Sequence, residues 1–272
     1  MPVIVSKDAI SINYEESGSG LPLVFIHGWA MSGKVWSFQK SLAEQFRLIT
    51  VDLRGHGQSS SSETFSLKTL MCDLSLLFEH LDLKSAFVVG WSLGSQVALY
   101  GFRELKDRIS ALVLVGGTPR FTANEDYSAG LPFREVRGLQ VRLMRDYERA
   151  MGEFFRRMFA PGELSREREN RIAREIIMGG RLPDPAVALQ GLEILTNEDL
   201  RGLLPAVDRP VLVIHGEEDS VCPVPAAYFL AKELPDSRLR IFPGVGHAPF
   251  LSRPETFNEA IAAFVREVQG AD

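Results

Sequence analysis

The sequence predicts an α/β fold: a mostly parallel central sheet flanked by helices, with a helical cap inserted into it. Three observations carry this prediction. Short apolar runs alternate with helix-like stretches along most of the chain. The segment 119–188 interrupts that alternation with charged helices and no strand-like run. One apolar run also leads through a serine flanked by glycines directly into a helix-like stretch, "FVVGWSLGSQVALY".

The strands of the sheet are predicted from the apolar runs, which lie at 22–28, 46–55, 85–91, 110–117, 209–221 and 237–247. Near-continuous Val, Ile and Leu is typical of parallel strands that are buried on both faces. The first residues alternate between apolar and polar, which predicts an exposed antiparallel hairpin. The predicted organisation is a core in two parts, 1–118 and 189–272, with 119–188 inserted as a cap.

The composition argues against several classes of protein and partner. The 272-residue chain has a formal net charge of -5, which disfavours general nucleic-acid binding. Its apolar runs have strand length, so we expect no membrane span, and the first residues show no signal-peptide pattern. Cys72 and Cys222 form neither a metal-binding spacing nor a disulfide framework. We expect a monomeric cytoplasmic protein that needs no metal or organic cofactor.

The glycine-flanked serine is Ser92, in the stretch Gly90-Trp91-Ser92-Leu93-Gly94. A nucleophile held on a tight strand-to-helix turn requires this context, because its neighbours two positions away must be nearly free of side chain. The N-terminus of the following helix then favours a developing oxyanion. The same motif also occurs in ordinary turns, so the prediction depends on the partners of this serine.

A serine hydroxyl needs a base, and the base needs an acid that orients it. On such a sheet the expected order is Ser, then Asp or Glu, then His, each on a loop after a strand. Of the five histidines only His247 follows the apolar residues of the last predicted strand, at the end of the run 237–247, whereas His215 ends a strand and is predicted to be structural. Asp219 follows the run "VLVIHG" at the expected distance, with two neighbouring glutamates as competitors. The predicted triad is Ser92, Asp219 and His247.

Two backbone amides are predicted to stabilise the oxyanion. Leu93 directly follows the nucleophile, and Trp29 follows the apolar run that ends in "FIHG". The pocket between core and cap is predicted to be lined by four aromatic side chains: Trp29, Trp91, Phe133 and Phe154.

A basic stripe is predicted on the cap. Residues 130–157 carry seven arginines against four acidic residues, a net charge of +3. Four of these arginines share one face of a single predicted helix at about 100° per residue: Arg142, Arg145, Arg149 and Arg156. Such a stripe suits the docking of an acidic protein, although a solvated helix face has the same pattern.

Several stretches resemble the α/β-hydrolase superfamily: "FIHGWAMSGKVW", "VDLRGHGQS", "GWSLGS", "HGEEDSVCP" and "GVGHAPFLSRP". Trp91, "GTPRFTANEDYSAGLP" and "GLEILTNEDLR" are further similar to the pimeloyl-[acyl-carrier-protein] methyl ester esterase family of biotin synthesis. The resemblance implies the same triad and oxyanion amides. It also implies that cap arginines bind an acidic acyl carrier protein.

We therefore expect a serine carboxylesterase that acts through an acyl-enzyme. The resemblance favours demethylation of pimeloyl-[acyl-carrier-protein] methyl ester as its reaction. The main alternative is a general short-chain carboxylesterase with no carrier-protein partner. A hydrolase of carbon–carbon bonds could use the same triad, but nothing in the sequence points to it. A non-catalytic ligand receptor is disfavoured because all three triad residues are present.

Overall fold

A computed structural model describes residues 2–61, 63–177 and 181–270. Within them, eight strands form one sheet: β1 (Val3–Val5), β2 (Ser11–Ser17), β3 (Pro22–Ile26), β4 (Arg47–Val51), β5 (Ala86–Trp91), β6 (Ile109–Val115), β7 (Val211–Gly216) and β8 (Ser237–Phe242). Their order is β1-β2-β4-β3-β5-β6-β7-β8. Strand β2 is antiparallel to both its neighbours, and the remaining pairs are parallel. The predicted mostly parallel sheet with an antiparallel hairpin is confirmed.

The helices are α1 (Leu67–His80), α2 (Leu93–Leu105), α3 (Phe133–Arg145), α4 (Tyr147–Arg157), α5 (Arg166–Ile172), α6 (Pro185–Asn197), α7 (Pro225–Glu233), α8 (Pro249–Ser252) and α9 (Pro254–Gly270). Helix α5 continues into a π-helical turn, Ala173–Ile177. Among the described residues, three stretches are 3-10 helical: Gly33–Glu44, Lys106–Arg108 and Arg201–Ala206. Within the described residues, no helix combines the length and apolar character needed to cross a membrane.

The central strands form the core of the protein. Every residue of β3, β5 and β7 is buried. Since successive side chains of a strand point to opposite faces, continuous burial means that both faces of the sheet are covered. Each fully buried Val, Leu, Ile or Phe side chain stabilises the fold by roughly 1.5–3 kcal/mol. This burial is why the apolar runs of these strands are continuous rather than alternating.

The parallel strands place the loops that follow them along one edge of the sheet. The loops after β3, β5, β7 and β8 carry Trp29, Ser92, Asp219 and His247, respectively. Because the carboxyl ends of parallel strands lie at the same edge, residues far apart in the sequence meet there.

The cap is the set of helices α3 to α6, which lies between β6 and β7. Its two ends meet at its base: Arg120 pairs with Asp199 in an antiparallel bridge, and Leu200 N donates to Pro119 O at 2.8 Å. The predicted boundary at 188 falls inside the continuous helix α6, which packs against α3. We therefore propose that the cap spans 119–200, since a division at 188 would cut a helix.

Candidate active site

Ser92 occupies the turn between β5 and α2 with φ +54° and ψ −115°. A residue other than glycine rarely adopts this positive φ, and such a conformation costs on the order of 1–3 kcal/mol unless its surroundings hold it. Here Ser92 N donates to Val115 O at 2.9 Å. A Cβ on Gly90 would collide with the carbonyl of Gly94, and one on Gly94 with the carbonyl of Ile26. The glycines on both sides of the serine are thus required by the close approach of backbone.

Asp219 and His247 form a buried pair. Asp219 Oδ2 accepts a hydrogen bond from His247 Nδ1 at 2.7 Å, and Oδ1 accepts from the amides of Val221 and Cys222, both at 2.8 Å. Burial acts to raise the pKa of Asp219, but the attraction of His247 and hydrogen bonds from His215 and His247 outweigh it and hold that pKa well below its usual range. Asp219 is therefore ionised at neutral pH and holds the imidazole with its proton on Nδ1.

His215, the last residue but one of β7, also contacts Asp219. Its Nε2 donates to Cys222 O at 2.7 Å and lies 3.2 Å from Asp219 Oδ2. Sequence reasoning missed this contact, because His215 lies on a strand and Asp219 on the loop after it, and no regular spacing brings such residues together. Glu217 and Glu218, the competing acids, are exposed. Asp219 is the acid of this loop that binds His247.

His247 lies beside the turn that carries the serine. Trp91, which precedes Ser92, donates from Nε1 to His247 O at 3.0 Å, and the two ring centroids are 5.3 Å apart. In the described part of the chain, His247 Nε2 is buried and has no hydrogen-bond partner. A ring nitrogen left free in this way is what a general base for Ser92 requires.

Cys222 borders the same site, a point that the sequence left open. Burial raises the pKa of its thiol well above the usual range, the charge of Asp219 raises it further, and a hydrogen-bonding contact with Ser92 opposes both. The thiol is therefore protonated at neutral pH and is not a competing nucleophile. Across residues 2–61, 63–177 and 181–270, no group of three His, Cys, Asp or Glu side chains is arranged to hold a metal ion.

The two predicted oxyanion amides flank the serine. A Cβ on Gly28, which precedes Trp29, would come within 3.2 Å of Ser92 Cβ. Leu93 is the first residue of α2, so its amide has no carbonyl within the helix to bind. Neither amide donates to another group in the part of the protein that the structure describes. Both are thus available to a ligand oxygen, and their role in the reaction stays a prediction.

The predicted aromatic pocket is only partly assembled. Trp29 and Phe154 meet edge to face with centroids 4.8 Å apart, and Trp29 Nε1 donates to Ala188 O at 2.7 Å. These contacts join the core to the cap above Trp29. Trp91 instead packs against His247 and Phe250. It supports the histidine loop from within the core.

Phe133 does not join this group. It is 55% exposed and lines a separate depression between α3 and α6 with Leu192 and Thr196. The reason is the orientation of α3, whose buried residues are Val136 and Leu143. The prediction of Phe133 as a pocket residue is therefore wrong.

The four arginines predicted to lie on one helix are divided between two helices, α3 and α4. Helix α3 ends at Arg145, Asp146 is extended with φ −154° and ψ 92°, and α4 begins at Tyr147. Asp146 Oδ1 accepts from Arg149 N at 3.1 Å and so caps the second helix. The prediction of a single continuous stripe is wrong because this cap breaks the helix.

The elbow between α3 and α4 nevertheless gathers three of these arginines. Arg142, Arg145 and Arg149 line a depression of about 340 Å³ together with Asp146 and Glu153. Glu153 lies 3.0 Å from Arg149 and 3.8 Å from Arg142, so it partly neutralises the group. Arg156, near the far end of α4, is not part of this depression. We call Arg142, Arg145 and Arg149 the elbow arginines.

Residues 22–254 match the protein family described as the alpha/beta hydrolase fold. The chain therefore has the fold of this class of hydrolases.

Comparison with known proteins identifies a narrower family within this class of hydrolases. The chain is 39% identical over 248 residues to the pimeloyl-[acyl-carrier protein] methyl ester esterase of Nitrosomonas europaea, covering 91% of this chain and 96% of that protein. It is 33% identical to the esterase of the same name from Vibrio vulnificus, covering 93% and 97%. An esterase from Exiguobacterium antarcticum superposes with a TM-score of 0.90 at 29% identity, covering 97% and 98%. The chain belongs to the α/β-hydrolase fold family and, within it, to the family of these methyl ester esterases.

Proposed function

We propose that this protein is a serine carboxylesterase with Ser92 as nucleophile, His247 as general base and Asp219 as the acid that orients it. One observation carries the proposal. A strained turn presents Ser92 beside a buried histidine whose Nδ1 is bound to an ionised carboxylate. This arrangement supplies the base and the orienting acid that a serine hydroxyl needs in order to attack an ester.

The reaction proceeds through an acyl-enzyme. Ser92 Oγ attacks the ester carbonyl while His247 Nε2 takes its proton, and Asp219 stabilises the imidazolium that forms. The amides of Trp29 and Leu93 donate to the tetrahedral oxyanion, and each such donor contributes about 3 kcal/mol in comparable sites. His247 then protonates the departing alkoxide. Water repeats the cycle and releases the carboxylic acid and free Ser92.

We propose pimeloyl-[acyl-carrier protein] methyl ester as the substrate, which would place the protein in biotin synthesis and make methanol the leaving group. The names of the relatives at 39% and 33% identity support this substrate. The elbow arginines support it independently, because they give the cap of an acidic chain a local positive charge that suits an acidic carrier protein. A general short-chain carboxylesterase would share the triad but would have no use for that charge.

The nucleophile is tested by covalent capture. A fluorophosphonate probe is expected to label Ser92 in the wild type, identified by mass spectrometry of the digest. Ser92→Ala should abolish labelling and reduce kcat for p-nitrophenyl acetate by about 10⁴-fold or more, because removal of the nucleophile leaves only binding and the oxyanion amides.

Ser41→Ala is the matched control, since Ser41 lies on the surface away from the sheet edge. It should keep the label and the activity of the wild type. If Ser92→Ala hydrolyses the ester at the wild-type rate and has a native circular dichroism spectrum, the proposed nucleophile is wrong.

A further inference from the structure

A short segment after α4 joins the cap to both loops that carry the acid and the base. We call this segment, residues 157–163, the cap root. At one end, Arg157 donates from its guanidinium to Ser220 O at 2.6 Å, and Ser220 Oγ donates back to Arg157 O at 3.1 Å. Ser220 directly follows Asp219. The acid loop is thus bound to the cap root by hydrogen bonds in both directions.

The histidine loop is bound more closely still. His247 N donates to Met158 O at 2.7 Å, and Gly246 N donates to the carboxylate of Glu163 at 2.8 Å. A Cβ on Gly246 would lie 2.5 Å from Met158 O and 2.9 Å from Ala160 N, so only glycine allows this approach. The backbone of the histidine loop therefore lies flat against the cap root.

Glu163 is an unusual residue to find at this contact. It is buried, and burial of a carboxylate is unfavourable unless hydrogen bonds compensate for the lost water. Its Oε2 receives two amides, Gly246 N at 2.8 Å and Ala160 N at 2.6 Å, whereas Oε1 has no partner within the described residues. Hence the carboxylate fixes the end of the cap root and the residue before His247 with a single oxygen.

We infer that Glu163 is a positioning residue for His247. By holding the amide of Gly246, it fixes the backbone from which the imidazole reaches Asp219 on one side and Ser92 on the other. This inference rests on the proposed role of His247 as the base. Since misplacement of a reacting group by about 1 Å can reduce a rate by about 10²-fold, loss of this anchor should affect the chemical step rather than substrate binding.

Three variants separate the hydrogen bond from the volume of the side chain. Glu163→Met keeps the length and removes the acceptor, Glu163→Asp withdraws the acceptor by one methylene, and Glu163→Gln keeps an acceptor in place. For p-nitrophenyl acetate, the Met and Asp variants should lower kcat by about tenfold or more with KM within about twofold of the wild type. The Gln variant should retain clearly more activity than either.

The pattern of effects across the variants gives a readout that a purely structural role would not produce. A general loss of structure would change kcat and KM together and would not be relieved in the Gln variant, whereas a displaced base lowers kcat alone and is restored by an acceptor in place. Glu167→Ala, which changes an exposed acid on the same cap, is the matched control and should leave both kcat and KM unchanged. If Glu163→Met does not fold, as judged by circular dichroism, the Asp variant tests the positioning role in its place.

The outcomes distinguish this inference from the proposed function. If Ser92→Ala or His247→Ala remains active, the proposed function fails whatever Glu163 does. If both are inactive while the folded Met and Asp variants keep the wild-type kcat and KM, the positioning role alone is overturned. A Gln variant as impaired as the Met variant would also overturn it, because the acceptor would then not be what matters.

Discussion

At the scale of single residues, the buried His27 holds the loop that carries the Trp29 amide, and a second buried histidine, His56, packs against it. His27 Nδ1 donates to Gly28 O at 2.8 Å, and its Nε2 accepts from Leu53 N at 3.0 Å. The ring of His56 lies 5.2 Å away, centroid to centroid. Burial lowers the pKa of His27 to about 4. Burial, with the neighbouring His27, lowers the pKa of His56 to about 3. Both histidines are therefore neutral at pH 7.

These lowered pKa values predict a loss of stability in mild acid. In the unfolded chain both histidines bind a proton near pH 6.5, whereas in the folded protein they do so only near pH 4 and pH 3. Between these limits the unfolded state holds more protons, so the free energy of unfolding falls as the pH falls. From pH 7 to pH 5 each histidine should contribute a loss of about 2 kcal/mol, measured by urea unfolding.

Variants at two histidines check the source of this slope. His56→Asn should remove the contribution of His56, about 2 kcal/mol, to the fall in the free energy of unfolding between pH 7 and pH 5. His80→Asn, at an exposed position on α1, should leave the loss unchanged. An unfolding free energy that stays constant from pH 7 to pH 5 in the wild type would contradict the neutral state of the buried pair.

The residues of the site differ in how far the sequence could predict them. Ser92, Asp219 and His247 each follow a strand, and the hydrophobic pattern places the strands, so their meeting at one edge could be derived. The contact of Glu163 with Gly246 could not be derived from the sequence, because it depends on how the cap packs over the core. No local pattern of residues specifies that docking.

At the scale of the elements, the elbow between α3 and α4 shows why the helical spacing of the arginines wrongly predicted one continuous helix. The arginine spacing is helical before and after the break, so it cannot reveal that one residue between them is extended. Asp146 was the available signal, since aspartate is favoured at the N-cap of a helix and disfavoured in its interior. The break brings the elbow arginines around one depression instead of along one line.

Charge reversal of the elbow arginines tests their proposed role. Exchange of Arg142, Arg145 and Arg149 for glutamate should lower kcat/KM for carrier-linked methyl pimeloyl ester by about tenfold or more, because it repels an acidic partner. The free methyl ester should be hydrolysed as by the wild type. The loss should shrink at high salt, which screens exposed charges.

A matched triple reversal supplies the control. Lys84, Arg103 and Lys232 lie outside the cap, and their side chains are 73%, 81% and 82% exposed. Their exchange for glutamate changes the net charge by the same amount and should spare the carrier-linked substrate. Equal losses for both triples, or equal losses on both substrates, would remove the docking role.

At the scale of the whole molecule, core and cap are joined at the proposed active site. The sheet places Ser92, Asp219 and His247 at the ends of parallel strands, and the cap root binds the two loops that carry Asp219 and His247. The sequence predicted the sheet because buried strands leave continuous apolar runs. The predicted end of the cap at 188 falls inside α6, which continues to Asn197, and so we propose a later boundary.

The measurement that tests the central claim most directly compares two substrates on one preparation of the wild-type protein. It is kcat/KM for the methyl ester of pimeloyl-[acyl carrier protein] against kcat/KM for free methyl pimelate. We expect a preference of about a hundredfold for the carrier-linked ester, because complementary charge speeds the encounter and orients the acyl chain. Equal rates, or a preference for the free ester, would contradict the proposed substrate and leave a general carboxylesterase.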